Sequence, residues 1–261
     1  MSFKSNFFIL LVLTCLLVRV AMATVVTSRT TENPADQTLD VALNKIQNFT
    51  KNKSLYCKIT TTGPNISVLY ENYIYNNNNQ DFNYLKVTQS SPFPCTYIVY
   101  KHQNGDHVAF FPSKLLAVTV ITAEEENSLN NLMGPSVTSL ISYLRSGTIA
   151  NNGNGTSIAS LELDVNKLKE KGLFPPEIES FTMEIYFKES GEIIKITQTL
   201  ASTIITSSFQ FITFDNSTIK DLAPQIPTNI AISTDKTLQE ILLEFQLNYL
   251  NSTNLKNRDK I

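Results

Sequence analysis

Few side chains in this chain are suited to chemistry. Its two histidines, His102 and His107, flank the Asn104-Gly105 pair, with Asp106 between them. Imidazoles on facing strand ends can converge on a metal. A structural zinc site wants four ligands, however, and polar residues decorating an exposed turn are the simpler reading. Of three cysteines, Cys15 lies in the N-terminal apolar run. Cys57 and Cys95 remain, both at predicted strand starts. They are either a disulfide in an oxidising compartment or two buried thiols acting as small hydrophobes. Glu124-Glu125-Glu126 suits the first turn of a helix. There is no Gly-x-Ser-x-Gly elbow, no His-Glu-x-x-His pair and no phosphate-cradling glycine loop. Carboxylates alone would have to serve, as in glycosidases, and nothing pairs them. The chain is expected to be no enzyme and to need no metal or other cofactor.

What remains is apolarity and its placement. At 261 residues the chain is long enough for a sizeable core. Its 21 basic and 23 acidic residues form no basic stripe, so nucleic acid is not an expected partner. Lys4, the apolar run Phe7 to Val18 and Ala21-Met22-Ala23 make a cleavable secretory signal over residues 1–23, with Thr24 the first mature residue. The run is short for a membrane span and Arg19 ends it. The sequons at Asn48, Asn52, Asn65, Asn154, Asn216 and Asn251 are what a chain rich in Asn, Ser and Thr produces by chance.

Asn33-Pro34 opens a helix whose Leu39, Ala42, Leu43, Ile46 and Phe49 fall on one face. Leu55–Thr60 reads as a strand. A meander follows over Ile66–Tyr75, Phe82–Ser90, Cys95–His102, His107–Phe111 and Leu115–Thr122. Read as a type I′ turn, Asn104-Gly105 sets His102 against His107, Tyr100 against Ala109 and Ile98 against Phe111. The other face then carries Tyr97, Val99, Val108 and Phe110, so both faces are substantially apolar. A sheet with one wet face alternates more cleanly.

Beyond Thr122 the period changes. Leu129, Leu132 and Met133, then Val137, Leu140, Ile141 and Leu144, form two short apolar stripes closed by Arg145 and Gly147, read as a pair of helices. Asn151 to Gly155 reads as a long polar loop. Strand Ser180–Lys188 turns Phe181, Met183, Ile185 and Phe187 inward; strands Glu192–Leu200 and Ile204 to Phe214 follow. Leu222–Ile232 is Pro-containing and extended. Leu238, Ile241, Leu242 and Phe245 begin a C-terminal amphipathic helix ending near Leu250, with a frayed tail after it.

These elements define an α+β chain with a curved antiparallel sheet, an incomplete barrel around a hydrophobic cavity, and helices as plug or lid. The expected cavity wall is Val68, Tyr70, Ile74, Leu85, Val87, Val99, Phe110, Met183 and Ile185. The expected lid is Leu129, Leu132, Met133, Val137, Leu140, Ile141 and Leu144. The C-terminal helix is the candidate cover for the sheet's second face. The division is then a signal peptide (1–23), one half-barrel domain (24–232) and a helix with its tail (233–261).

From Asp36 to about Ile230 this order resembles the LolA-type periplasmic lipoprotein carriers and their LolA/LolB/RseB-like superfamily. Phe82-Asn83-Tyr84-Leu85-Lys86-Val87-Thr88-Gln89 resembles the family's strand after an Arg-Pro turn. Tyr97 to Phe111 resembles its Asp-Gly or Asn-Gly hairpin, Met133-Gly134-Pro135 onward its lid helix, and Phe181 to Ile196 its late hairpin. The resemblance implies a monomeric periplasmic chaperone that takes acylated lipoproteins or lipids from an inner-membrane transporter to an outer-membrane acceptor. The family's lid-tying Arg, expected near Asn78 or Asn79, is missing, and the C-terminal helix and Asn-rich loop are additions. Other readings are a lipid-sensing envelope-stress regulator of the same fold and a secreted, non-enzymatic surface β-protein.

Overall fold

The computed structural model describes residues 34–49, 54–75, 82–121, 144–170, 178–200, 202–214, 216–227 and 229–258. Twelve strands follow in the hydrogen-bonded order β12-β6-β5-β4-β3-β2-β1-β11-β10-β9-β8-β7, an open and mostly antiparallel sheet. The α+β class expected from the sequence is the one observed. The chain divides into two compact units, one within residues 1–51 and 129–209, the other within 52–128 and 210–261.

In the first unit, helix α1 (Pro34–Phe49) precedes β7 (Leu144–Gly153), β8 (Thr156–Leu163), a short α2 (Val165–Glu170), β9 (Phe181–Lys188), β10 (Ile193–Leu200) and β11 (Thr203–Thr213). The last of these runs on into the second unit. Strand β9 keeps strict alternation, with Phe181, Met183, Ile185 and Phe187 buried. Leu144 does not close a helix: it opens β7 and pairs with Leu163, with Arg145 and Gly147 inside the same strand. Its β-branched and glycine-rich continuation, Gly147-Thr148-Ile149, suits an extended edge better than a helix. Asn151 to Gly155 is no long loop. Asn154 (φ 50°) and Gly155 (φ 71°) both take the left-handed region and form the two-residue turn between β7 and β8, enclosed by the pair Gly153 and Thr156.

In the second unit, β1 (Leu55–Gly63), β2 (Ile66–Tyr75), β3 (Phe82–Ser91), β4 (Cys95–Lys101), β5 (His107–Phe111) and β6 (Leu116–Ile121) form the predicted meander. The hairpin register differs from expectation by one residue, with Lys101 opposite His107, Tyr100 opposite Val108 and Ile98 opposite Phe110. Of the pair Asn104-Gly105, Gly105 alone has positive φ (93°), so the turn is not type I′. Gly105 N–H donates to His102 O, and His102 N–H to Asp106 O (2.9 and 2.8 Å). A three-residue loop with glycine in the left-handed position therefore replaces a two-residue one.

Helix α3 (Asn216–Leu222), strand β12 (Ile232–Ser233) and helix α4 (Leu238–Arg258) complete this unit. Neither α3 nor β12 was expected, and α4 runs two turns beyond Leu250. Thr237 caps α4: its hydroxyl accepts from Glu240 N–H while the Glu240 carboxylate accepts from Thr237 N–H (3.2 and 2.7 Å). Residues 1–33 and 122–143, which hold the expected signal and most of the expected lid, lie outside the described residues. Among the described residues no helix is long and apolar enough to cross a membrane.

Candidate functional site

Strand alternation sorts the candidate wall into faces. In the second unit Val68, Tyr70 and Ile74 of β2 lie on one face with Leu85 and Val87 of β3 and Val99 of β4. Cross-strand pairs Tyr70–Val87 and Leu85–Val99 fix this. Val68, Tyr70 and Val87 are buried; Ile74, Leu85 and Val99 are half-buried. Phe110 does not join them. The one-residue register difference sends it to the opposite face with Ile98, Val108 and Ala117, under Ile226, Ile230 and Ile232. Further along that face, Ile219 of α3 and Ala223 pack on Tyr73 beside Tyr56, Tyr84 and Phe214.

The cover is therefore distributed otherwise than expected. α3 and the Pro-containing segment close the second face. α4 closes the face of Val87 and Tyr97 at β5: Phe111 lies 5.4 Å from the Tyr97 ring and stacks on Phe245 at 5.7 Å. Lys114 sits 4.5 Å over the Phe245 ring and pairs with Glu244, which also takes Lys236 (2.7 and 2.6 Å). Hydrogen bonds from Lys114 and then Lys236 pull the Glu244 carboxyl down to about 2. Burial raises the Glu71 carboxyl, but hydrogen bonds from Lys86 and Tyr56 outweigh it and hold the group below its ordinary range.

Cys57 and Cys95 are free and buried. Cys57 lies in β1 opposite Asn72 of β2, while Cys95 lies in β4 opposite Gln89 of β3. Two whole strands separate them, roughly 14 Å at strand spacing, well beyond the reach of a bridge. Burial pushes both thiols up to about 12. His102, Asn104 and Asp106 are occupied with one another: His102 Nδ1 meets Asn104 Oδ1 at 3.1 Å, and Asn104 Nδ2 donates to Asp106 at 2.7 Å. No cluster of three metal-ligating side chains occurs among the described residues.

The first unit is built differently. Its inner face is laid out by the register: Ile149, Ala159, Ile185 and Ile196 stand in one row across β7 to β10, and Leu161, Met183, Gln198 and Ile205 in the next across β8 to β11. Met183 and Ile185, both candidate wall residues, belong here and are buried. α1 lies on this face, with Leu39, Ala42, Leu43 and Ile46 buried. Two glycines permit the approach. A Cβ on Gly147 would meet Leu39 Cδ2 at 2.5 Å, and one on Gly191 (φ 87°) would overlap the Lys45 carbonyl. Beside α1 a cleft of about 400 Å³ remains open, lined by Val41, Ala42, Ile149 and Phe187 with Lys45, Asn151, Gly155, Thr156, Ser157 and Glu189. Val41 is 56% exposed despite its apolar side chain. The cleft has an apolar side and a polar rim, the composition of a site for an amphiphile. Sequence reasoning missed α1's outward Val41 because helical spacing marks only the stripe that faces inward.

No family model matches the chain, and no curated protein matches it. Several solved structures are similar. The lipoprotein LppX of Mycobacterium tuberculosis is 13% identical, with a TM-score of 0.42, 75% of this chain covered and 100% of that one. LprF from Mycobacterium bovis is 10% identical, with a TM-score of 0.43 over 76% and 99%. MucB, solved in complex with MucA(peri), is 10% identical, with a TM-score of 0.40 over 75% and 62%.

Proposed function

We propose that the protein is an exported, non-enzymatic carrier. It holds the acyl chains of lipoproteins or related lipids against the inner face of β7 to β11 and delivers them toward the outer membrane. The observation that carries this reading is the open cleft beside α1, where exposed Val41 and half-buried Ile149 offer apolar surface over the buried Ala42 and Phe187, and Lys45, Thr156 and Ser157 rim it. Its volume lies within the ~300–1,000 Å³ of small-ligand sites. Each methylene moved from water onto such a surface is worth about 0.8 kcal/mol, so one acyl chain binds without a charged anchor. Loading and release then need two states separated by a few kcal/mol, with α1 as the element that moves. By the resemblance described above, an inner-membrane transporter supplies the cargo and an outer-membrane acceptor receives it.

The test is recovery of the mature protein from the periplasm and mass spectrometry of extracted lipids, with displacement of an apolar dye by lipopeptide. Acylated species should co-purify and lipopeptide should displace the dye. Val41→Glu should weaken displacement about tenfold with folding intact, since a charge would enter the apolar side of the cleft. If no acylated species co-purifies and no dye is displaced, the carrier reading falls.

A further inference from the structure

Gln198 lies in β10 at 2% exposure. Its cross-strand partners are Met183 and Ile205, and Leu161 stands beyond Met183 in the same row. None of these side chains can take a proton from an amide in an ordinary hydrogen bond. The Gln198 Nε2 has no hydrogen-bond partner among the described residues. A buried donor left unmade is expensive, so in folded proteins such groups are few and each calls for an acceptor. The second unit shows the satisfied alternative: Gln89, on its own sheet face and also buried, donates Nε2 to Phe93 O at 2.9 Å.

We propose that Gln198 Nε2 is the polar anchor for cargo, donating a hydrogen bond to the ester carbonyl of an acyl chain lying on the β7 to β11 face. The inference rests on the carrier reading and deepens it. An apolar face holds any chain of the right length, whereas one donor within it fixes how deep the chain sits and which linkage is accepted. Acyl chains of lipoproteins and glycerolipids carry such a carbonyl at their polar end. Dialkyl ethers of the same length lack it.

The experiment is a binding comparison of the full mature chain with a fluorescent diacylglycerol ester and its chain-matched dialkyl ether, in wild type, Gln198→Met and Gln198→Leu. Both substitutions keep the buried volume and remove the donor, and thermal unfolding verifies that each variant folds. Wild type should bind the ester about tenfold more tightly than the ether, the yield of one buried hydrogen bond. In the variants that preference should vanish through weaker ester binding, with ether binding unchanged or improved. Equal binding of ester and ether by wild type overturns the anchor while leaving the carrier reading standing. So does an ester preference that survives Gln198→Met. Binding of neither lipid removes both.

Discussion

Gln89 and Gln198 are two buried amides on two parts of one sheet, and they are treated oppositely. In the second unit Gln89 has a backbone acceptor, and the aromatic row Tyr97, Phe111 and Phe245 seals the strands beneath α4. In the first unit Gln198 has no acceptor among the described residues, and an open cleft with an exposed Val41 lies beside α1. One part is finished as a core. The other keeps apolar surface and a donor in hand. Under the proposed reading the sheet divides the work of stability and of binding between its parts, which a uniform core cannot do.

The sharpest way to break this contrast is to truncate matched residues. Phe111→Ala should cost about 4 kcal/mol in chemical denaturation, because the stack under α4 cannot collapse around the lost ring. Met183→Ala on the β7 to β11 face should cost less, about 2 kcal/mol; under the proposed function it should also alter lipid affinity, which Phe111→Ala should leave alone in the folded fraction. Equal costs with no change in affinity would erase the distinction. Next comes Gly191→Ala. A side chain at φ 87° is strained and would overlap the Lys45 carbonyl, so roughly 2 kcal/mol should be lost. Dye binding should change with it as α1 is pushed off β9 and β10.

Smaller effects test the closed unit. Alkylation of Cys57 and Cys95 in the folded protein should be slow at neutral pH and should speed up only with unfolding, since burial holds both thiols near 12. Intact masses with and without reductant should agree. The smallest effect concerns Glu244. Its folded carboxyl is depressed to about 2 from 4.5. Its contribution is therefore fully present above about 4.5 and is lost as pH falls toward 2. Glu244→Gln should lower stability by a fraction of a kcal/mol at neutral pH, as suits an exposed pair, and should flatten the acid limb of the stability curve. A variant with an unchanged acid limb would show that the lysine pairs do not hold α4.

How much of this was legible in the sequence depended on how local the signal was. Strict alternation placed Phe181, Met183, Ile185 and Phe187 correctly, because their burial follows from strand geometry alone. The two Asn-Gly pairs show the opposite case. Asn104-Gly105 was read as type I′ and is not, whereas Asn154-Gly155, read as loop, has the left-handed pair such a turn needs. The dipeptide permits either turn, and the flanking strands choose between them. From that one-residue difference followed the misplacement of Phe110. Cys57 and Cys95 looked bridgeable because both begin strands, yet strand order keeps them apart. Residues 122–143, where the remaining lid candidates fall, lie outside the described structure, while Leu144 belongs to β7. Gln198 gave no signal at all: a lone glutamine among Ile, Thr and Leu is unremarkable until its neighbours across the sheet are known.

The short strand β12 has one further consequence. It lays only Ile232 and Ser233 parallel to Ala117 and Val118, which is enough to pair part of the outer edge of β6. At the other end of the strand order, β7 carries register shifts near both its ends, an exposed Arg145 and two glycines. Both devices blunt an edge against recruiting a strand from another copy. For a chain so rich in β-structure, such terminal guards keep the sheet of one copy from growing into fibres with the next.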